Sequence, residues 1–141
     1  MRIAFDTNVL LDTILNRPGR EAALKLMLAV AEEEIEGVVS ANSITDLYYL
    51  ARKGIGDSGA REAVAGILEM FDVAAVDGDV CFMALNTDMS DYEDAVLAVC
   101  AANAGADCIA TRDEAFIKAE GKPVTAMRPE DVLEAIKGNG E

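Results

Sequence analysis

Short apolar runs recur along this chain, and each is followed by a longer segment of helical period. Arg2-Ile3-Ala4-Phe5, Gly37-Val38-Val39-Ser40 and Asp107-Cys108-Ile109-Ala110-Thr111 are the clearest, with a weaker run at Asp72–Val76 and a last one at Val124-Thr125. Strands apolar on successive residues are buried on both faces. Strands separated by helices must pair in parallel, because the chain crosses over the sheet each time. The expected fold is therefore α/β: a parallel sheet flanked by helices on both faces.

The intervening segments read as helices. Arg20–Glu34 places Ala23, Leu24, Met27, Leu28 and Ala31 at three- and four-residue spacing. Further helices are expected at Val9–Leu15, Ile44–Lys53, Ala60–Met70, Asp79–Leu85, Asp91–Asn103, Glu114–Lys118 and Pro129–Ile136, the last with Pro at its first position. Gly54–Gly59 reads as a mobile connection, too short for a domain linker. Ser90-x-x-Glu93 reads as a capping box. At 141 residues the whole chain, 1–141, is expected to be a single domain.

Composition narrows the chemistry. His is absent, which removes Ser-His-Asp and Cys-His catalysis and every His-ligated metal site. Lys plus Arg number 12 against 26 Asp plus Glu, a net charge of −14. That balance opposes tight unaided binding to duplex nucleic acid and suits divalent cations or basic protein partners. Cys81, Cys100 and Cys108 lack C-x-x-C spacing and read as reduced core thiols of a cytoplasmic protein. The longest strictly apolar run, Ala95–Ala102, is too short to span a membrane, and the early Asp6 fits no signal peptide.

Four aspartates are placed informatively. Asp6 ends the first strand; Asp46 lies in the first turn of a helix opened by Asn42-Ser43; Asp94 follows Ser90 into its helix; Asp113 follows the Cys108 strand. Each stands where a strand's carboxyl end gives way to a helix, the edge where open α/β sheets build sites. Helix capping accounts for Asp6, Asp46 or Asp113 taken singly. Asp94 is read as the fourth helical residue, beyond the cap, and apolar Ala95–Val99 follows it, so its carboxylate needs a partner. Asp91, three residues earlier, can share its face. Between Arg61 and Arg112 there is no Lys or Arg, yet ten acids: Glu62, Glu69, Asp72, Asp77, Asp79, Asp88, Asp91, Glu93, Asp94 and Asp107. Two carboxylates about 5 Å apart repel by roughly 3 kcal/mol at an effective dielectric near 20. If the acids converge, some protonate or a divalent cation sits among them. Oxygen-only donors favour Mg²⁺ or Mn²⁺ over Zn²⁺.

Four stretches resemble the PIN domain family, and more narrowly the VapC-type toxins of toxin–antitoxin pairs. They are Ile3–Asp12 (IAFDTNVLLD), Ser40–Tyr49 (SANSITDLYY), Asp91–Val96 (DYEDAV) and Gly105–Asp113 (GADCIATRD). They run in the family's order and at its spacing across nearly the whole chain. The resemblance implies a five-stranded parallel sheet of order 3-2-1-4-5, with Asp6 and Asp113 brought together. It implies a Mg²⁺- or Mn²⁺-dependent endoribonuclease. Asp6, Asp46, Asp94 and Asp113 take the catalytic and metal-holding positions, and Asn8, Thr111 and Asp91 the supporting ones. It also implies an antitoxin partner, whose basic tail could lay an Arg among the acids, and a homodimer through apolar stretches such as Met27–Ala31 and Tyr48-Tyr49. The chain departs from the family where Asp46 replaces the usual Glu, one methylene shorter, and where Ala115 precedes Phe116 in place of a further acid.

Metal-assisted hydrolysis of RNA phosphodiesters is the expected activity. The RNA backbone would be held by scattered cations among Arg17, Arg20, Arg52, Lys53, Arg112 and Lys118, with Arg112, Arg52 and Lys53 foremost. Two rivals differ in class. A phosphatase of the haloacid-dehalogenase type needs Asp-x-Asp-x-Thr, whereas this chain has Asn8 and Leu10 at the second Asp and the Thr. An inactive PIN-like binding module is favoured by the −14 charge and by Asp46, and would bind no divalent ion.

Overall fold

Five short strands form one parallel sheet in the computed structural model, which describes residues 1–139. They are β1 (Arg2–Phe5), β2 (Glu36–Ser40), β3 (Phe71–Ala74), β4 (Cys108–Ala110) and β5 (Ala126–Met127), in the order 3-2-1-4-5. β1 is central: Ile3 sits opposite Gly37 on one side and Cys108 on the other. The interleaved helices are α1 (Thr7–Ile14), α2 (Glu21–Ala31), α3 (Ala41–Met70), α4 (Gly78–Leu85), α5 (Tyr92–Asn103), α6 (Glu114–Lys118) and α7 (Pro129–Asn139).

Alternation along the strands divides the core by face. Ile3, Phe5, Val39, Cys108 and Ala110 pack under α1, α2, α3 and α7, against Leu10, Leu26, Leu47 and Val132. Ala4, Val38 and Ile109 face the other way, against Leu97 and Ala98 of α5 and Phe116 of α6. Each fully buried Leu, Ile or Phe contributes roughly 1.5–3 kcal/mol of transfer free energy. α4 packs on the outside of α5 through Val80, Ala84, Val96 and Val99. The sheet's amino edge is tied by Arg2. Its guanidinium reaches Glu36 at 2.6 Å, Asp72 at 2.8 Å and the Ala104 carbonyl at 2.7 Å.

Several expected boundaries move. The last strand is Ala126–Met127, not Val124-Thr125, because the Thr125 carbonyl accepts from Ile109 and pairing continues to Met127, whose carbonyl accepts from Thr111. β3 begins a residue early, since Phe71 stands edge-on to Phe5 with ring centroids 5.0 Å apart. The two helices expected around Gly54–Gly59 are both present within α3 and meet at a kink at Gly56 (φ 79°, ψ 174°), so the joint between them is one residue rather than a loop. Cys100 and Cys108 are buried, but Cys81 on α4 is exposed, so it is no core thiol. Of the apolar stretches read as pairing surfaces, Ala29 and Val30 are buried, whereas Leu28 and Tyr49 remain exposed. Among the described residues no helix is long and apolar enough to cross a membrane.

Candidate active site

The order in which strands are added reverses at β1: β2 lies to one side and β4 to the other. The carboxyl ends of these strands therefore splay apart and leave a crevice. Asp6 follows β1 directly, and its amide donates to the Ala110 carbonyl at 3.0 Å, which fixes it beside the end of β4. Asp6 occupies the cap position of α1, yet its side chain makes no capping bond. Its Oδ2 accepts from the Thr111 hydroxyl instead, at 2.8 Å. Thr111 is fully buried, and its Oγ1 also accepts from the Asp113 amide at 3.1 Å. One hydroxyl thus links the two acids that end adjacent strands. Asp113 caps α6, accepting from the Ala115 amide at 2.9 Å.

Asp94 joins from α5. The cap of that helix is Asp91, not Ser90: its carboxylate accepts from the Asp94 amide at 2.9 Å. Asp94 is consequently the third helical residue rather than the fourth, and its amide is satisfied while its carboxylate is left to face other acids. Burial first, then Asp91, Asp6 and Asp113, push Asp94 up to about 7. Asp6 is also raised, chiefly by burial and further by Asp113 and Asp91; the Thr111 hydrogen bond offsets part of this.

A cleft of about 20 Å³ opens beside these groups, lined by Asp6, Asp94 and Glu93 and by Ser40, Asn42 and Ser43 of the β2–α3 junction. That volume is room for one water-sized occupant. Larger cavities, near 470 and 420 Å³, lie between α2 and α7 and beside α4, and neither touches the acids. In the cleft the Ser40 and Ser43 hydroxyls bond each other at 2.7 Å. Asn42 Oδ1 is buried and, among the described residues, has no hydrogen-bond partner. Sequence reasoning missed these three as site residues. Their signal was the polar run Ser-Ala-Asn-Ser directly after Val38-Val39, at a strand's carboxyl end.

The other expected residues are not among those that line this cleft. α3 begins at Ala41, which puts Asp46 in the second turn rather than the first. It is exposed and is not among the leading charges on Asp6 or Asp94. Asn8 is exposed on α1, and Arg52 and Lys53 are exposed on α3. Arg112 pairs with Asp12, a fully buried acid of α1, at 3.1 Å. Sequence reasoning also missed Asp12, although an acid between Leu11 and Ile14 has the same signal that marked Asp94.

The donor set suits a hard cation. It consists of carboxylates, an orphaned amide oxygen and hydroxyls, with uncompensated negative charge. Among the described residues no three acidic or thiol side chains enclose a metal position. An ion at this edge would be held directly by one or two carboxylates and keep several of its waters.

No curated protein matches the sequence. Solved structures share the fold. A VapBC2 complex from Rickettsia felis, bound to a DNA fragment from its promoter, superposes with a TM-score of 0.69 at 14% identity, covering 91% of this chain and 98% of its own. A DNA-bound VapBC from Salmonella typhimurium gives 0.65 at 19% identity, covering 92% and 98%. VapC20 of Mycobacterium tuberculosis, a sarcin-ricin loop cleaving toxin, gives 0.62 at 20% identity, covering 81% and 92%. The PIN domain family model matches residues 2–115, over the strands and acids that build this site, and the chain belongs to that family.

Proposed function

We propose that this chain is a Mg²⁺- or Mn²⁺-dependent endoribonuclease, the toxin of a toxin–antitoxin pair. The observation that carries this reading is that Thr111 links Asp6 and Asp113 while Asp94, close enough to feel both charges, is raised to about 7 by burial and like charge. So much uncompensated charge at a sheet's carboxyl edge makes sense as a cation site. Membership of the PIN family supports it, as does the fold shared with a sarcin-ricin loop cleaving toxin.

Asp6, Asp94 and Asp113 would hold the ion, one or two of them directly and the rest through its waters, with Asn42 Oδ1 as a further oxygen donor. A bound divalent cation supplies Lewis-acid chemistry, making water nucleophilic at neutral pH and steadying charge on phosphate oxygens. Thr111 keeps Asp6 and Asp113 in register. Asp94 is poised to take or release a proton near neutrality. Asp46 would act from the open side, through a longer reach than the other three. Asn8 and Asp91 would support the site, and Arg112, Arg52 and Lys53 would engage the RNA backbone. The protein would act in the cytoplasm, as a homodimer, until a basic-tailed antitoxin occupies the acids. Neighbours solved as VapBC complexes support the antitoxin.

Cleavage of RNA by the purified chain tests the proposal, with Mn²⁺ or Mg²⁺, with EDTA, and with Asp94→Asn. We expect cleavage that requires the ion and drops at least about 100-fold in the variant, the lower end of what a positioned acid–base group contributes. The exposed Asp46 favours a second reading, a PIN-fold binding module without activity. Wild type and Asp94→Asn equally inert on varied RNAs would support that reading.

A further inference from the structure

Asp12 is a carboxylate with no solvent exposure. Neither oxygen makes a hydrogen bond of good geometry among the described residues. Each instead faces one arginine: Oδ1 lies 3.5 Å from Arg17 Nη1 and Oδ2 lies 3.1 Å from Arg112 Nη1. Two guanidiniums therefore share one anion, and the spot is net positive in a chain of net charge −14. The side chains of Arg17 and Arg112 are 38% and 44% exposed, and neither makes another ion pair among the described residues. A guanidinium has five N–H donors, so most of each remains open to a further acceptor.

Stability alone is a poor reason for this arrangement. Burying an ion pair seldom gains over packing apolar groups. Asp12 also sits in the last turn of α1, where the helix dipole disfavours an acid. Its placement makes sense if the product is the position of the two arginines. Arg112 stands between Thr111, which holds Asp6, and Asp113. α1, which carries Asp12, starts from Asp6.

We propose that Arg17 and Arg112 form a fork that binds one backbone phosphate of an RNA strand beside the acid site, and that Asp12 is the positioning residue that sets the fork. This rests on the nuclease reading and deepens it. Arginines present planar, paired donors to a phosphate, and a fork fixed from behind loses little freedom when the phosphate arrives.

The test is the anisotropy of a labelled single-stranded oligouridine, titrated in EDTA over a salt series, beside cleavage assays with Mn²⁺. Arg17→Gln and Arg112→Gln should each weaken binding about fivefold, and the double variant should reduce the log–log salt slope by about 0.7, the value for one phosphate contact on a single strand. Arg61→Gln makes the same charge change on α3 and should leave the slope unaltered. Arg112→Lys should keep the slope and lose affinity. Asp12→Asn is the decisive variant. Removing a negative charge strengthens RNA binding if bulk electrostatics governs, whereas loss of the fork's anchor weakens it. Tighter binding by Asp12→Asn, or fork variants that match Arg61→Gln, would overturn the proposal. If Arg112→Gln fails to fold, Asp12→Asn/Arg112→Gln removes the buried charge together with its partner and carries the same expectation. Wild type that cleaves RNA while the fork variants behave like Arg61→Gln sinks this inference alone. Wild type that neither binds nor cleaves RNA sinks the nuclease reading with it.

Discussion

Asp94 puts a carboxylate where ionisation is opposed by burial and by Asp91, Asp6 and Asp113. The consequence for stability has a definite sign. An acid whose folded pKa lies above its unfolded value binds protons more tightly when folded. Its contribution is fully favourable below the unfolded value near 4 and is lost as pH rises to about 7. Metal-free protein should therefore lose stability across that window. Taken at face value the shift is worth about 4 kcal/mol, and solvent on the open side of Asp94 screens it to about 1–2 kcal/mol. Asp94→Asn should raise the thermal midpoint at pH 8 in EDTA by roughly 3–8 °C and leave it nearly unchanged at pH 4. Thermal melts of both proteins at the two pH values check this. A variant less stable than wild type at pH 8 would show that Asp94 carries a structural role instead. A residue selected for folding would not be expected to cost stability at the pH where it works.

At the scale of elements, α3 shows two helices read correctly from the sequence and a joint between them shorter than the glycines suggest. Ile44–Lys53 and Ala60–Met70 both carried helical signals, and the glycines between them suggested a loop. The chain needs only one residue to change direction. Gly56 takes φ 79° and ψ 174°, a conformation that side chains resist, while Gly54 and Gly59 stay within the run. A Cβ at Gly56 would meet nothing within 4 Å, so any cost of adding one is backbone strain alone. Gly56→Ala should destabilise by about 1–3 kcal/mol, seen as a lower urea midpoint with an unchanged slope. RNA cleavage per folded molecule should not change. Parallel strands were legible because Ile3-Ala4-Phe5 and Cys108-Ile109-Ala110 are apolar on successive residues. The two-residue β5 was not, because a strand that short is defined by its partner's hydrogen bonds rather than by its own period. Caps were misread for a related reason: Ser90 and Asp91 are both good caps, and only the helix's actual start decides between them. Asp6, Asp94 and Asp113 stand after strands or at helix starts, as their sequence context suggests. Asp46 is harder to place, since α3 starts at Ala41, three residues before the expected Ile44, which moves Asp46 almost a turn along the helix. Asp12 and the Ser40–Ser43 pair needed tertiary contacts to become visible.

Considered as a whole molecule, the chain holds a net charge of −14 against itself. Any salt relieves part of that repulsion, so stabilisation by a divalent ion is not in itself evidence for a site. The acid cluster makes a sharper statement. An ion that binds only the folded state adds about 2.7 kcal/mol at a hundred times its dissociation constant, roughly 8–10 °C for a chain of this size. Sodium chloride at equal ionic strength acts on the diffuse charge and should stabilise wild type, Asp6→Asn and Asp46→Asn by similar small amounts. Mn²⁺ should add its larger shift to wild type at pH 7.5 and lose most of it in Asp6→Asn, whose carboxylate Thr111 holds at the centre of the cluster. Asp46→Asn should retain more of the shift than Asp6→Asn, because Asp46 stands exposed and outside the leading charges on the cluster. Differential scanning calorimetry on the three proteins reads all of this without any RNA. Equal Mn²⁺ shifts in all three would mean that the ion acts on net charge alone. The four aspartates would then be a surface property of an acidic protein rather than a site.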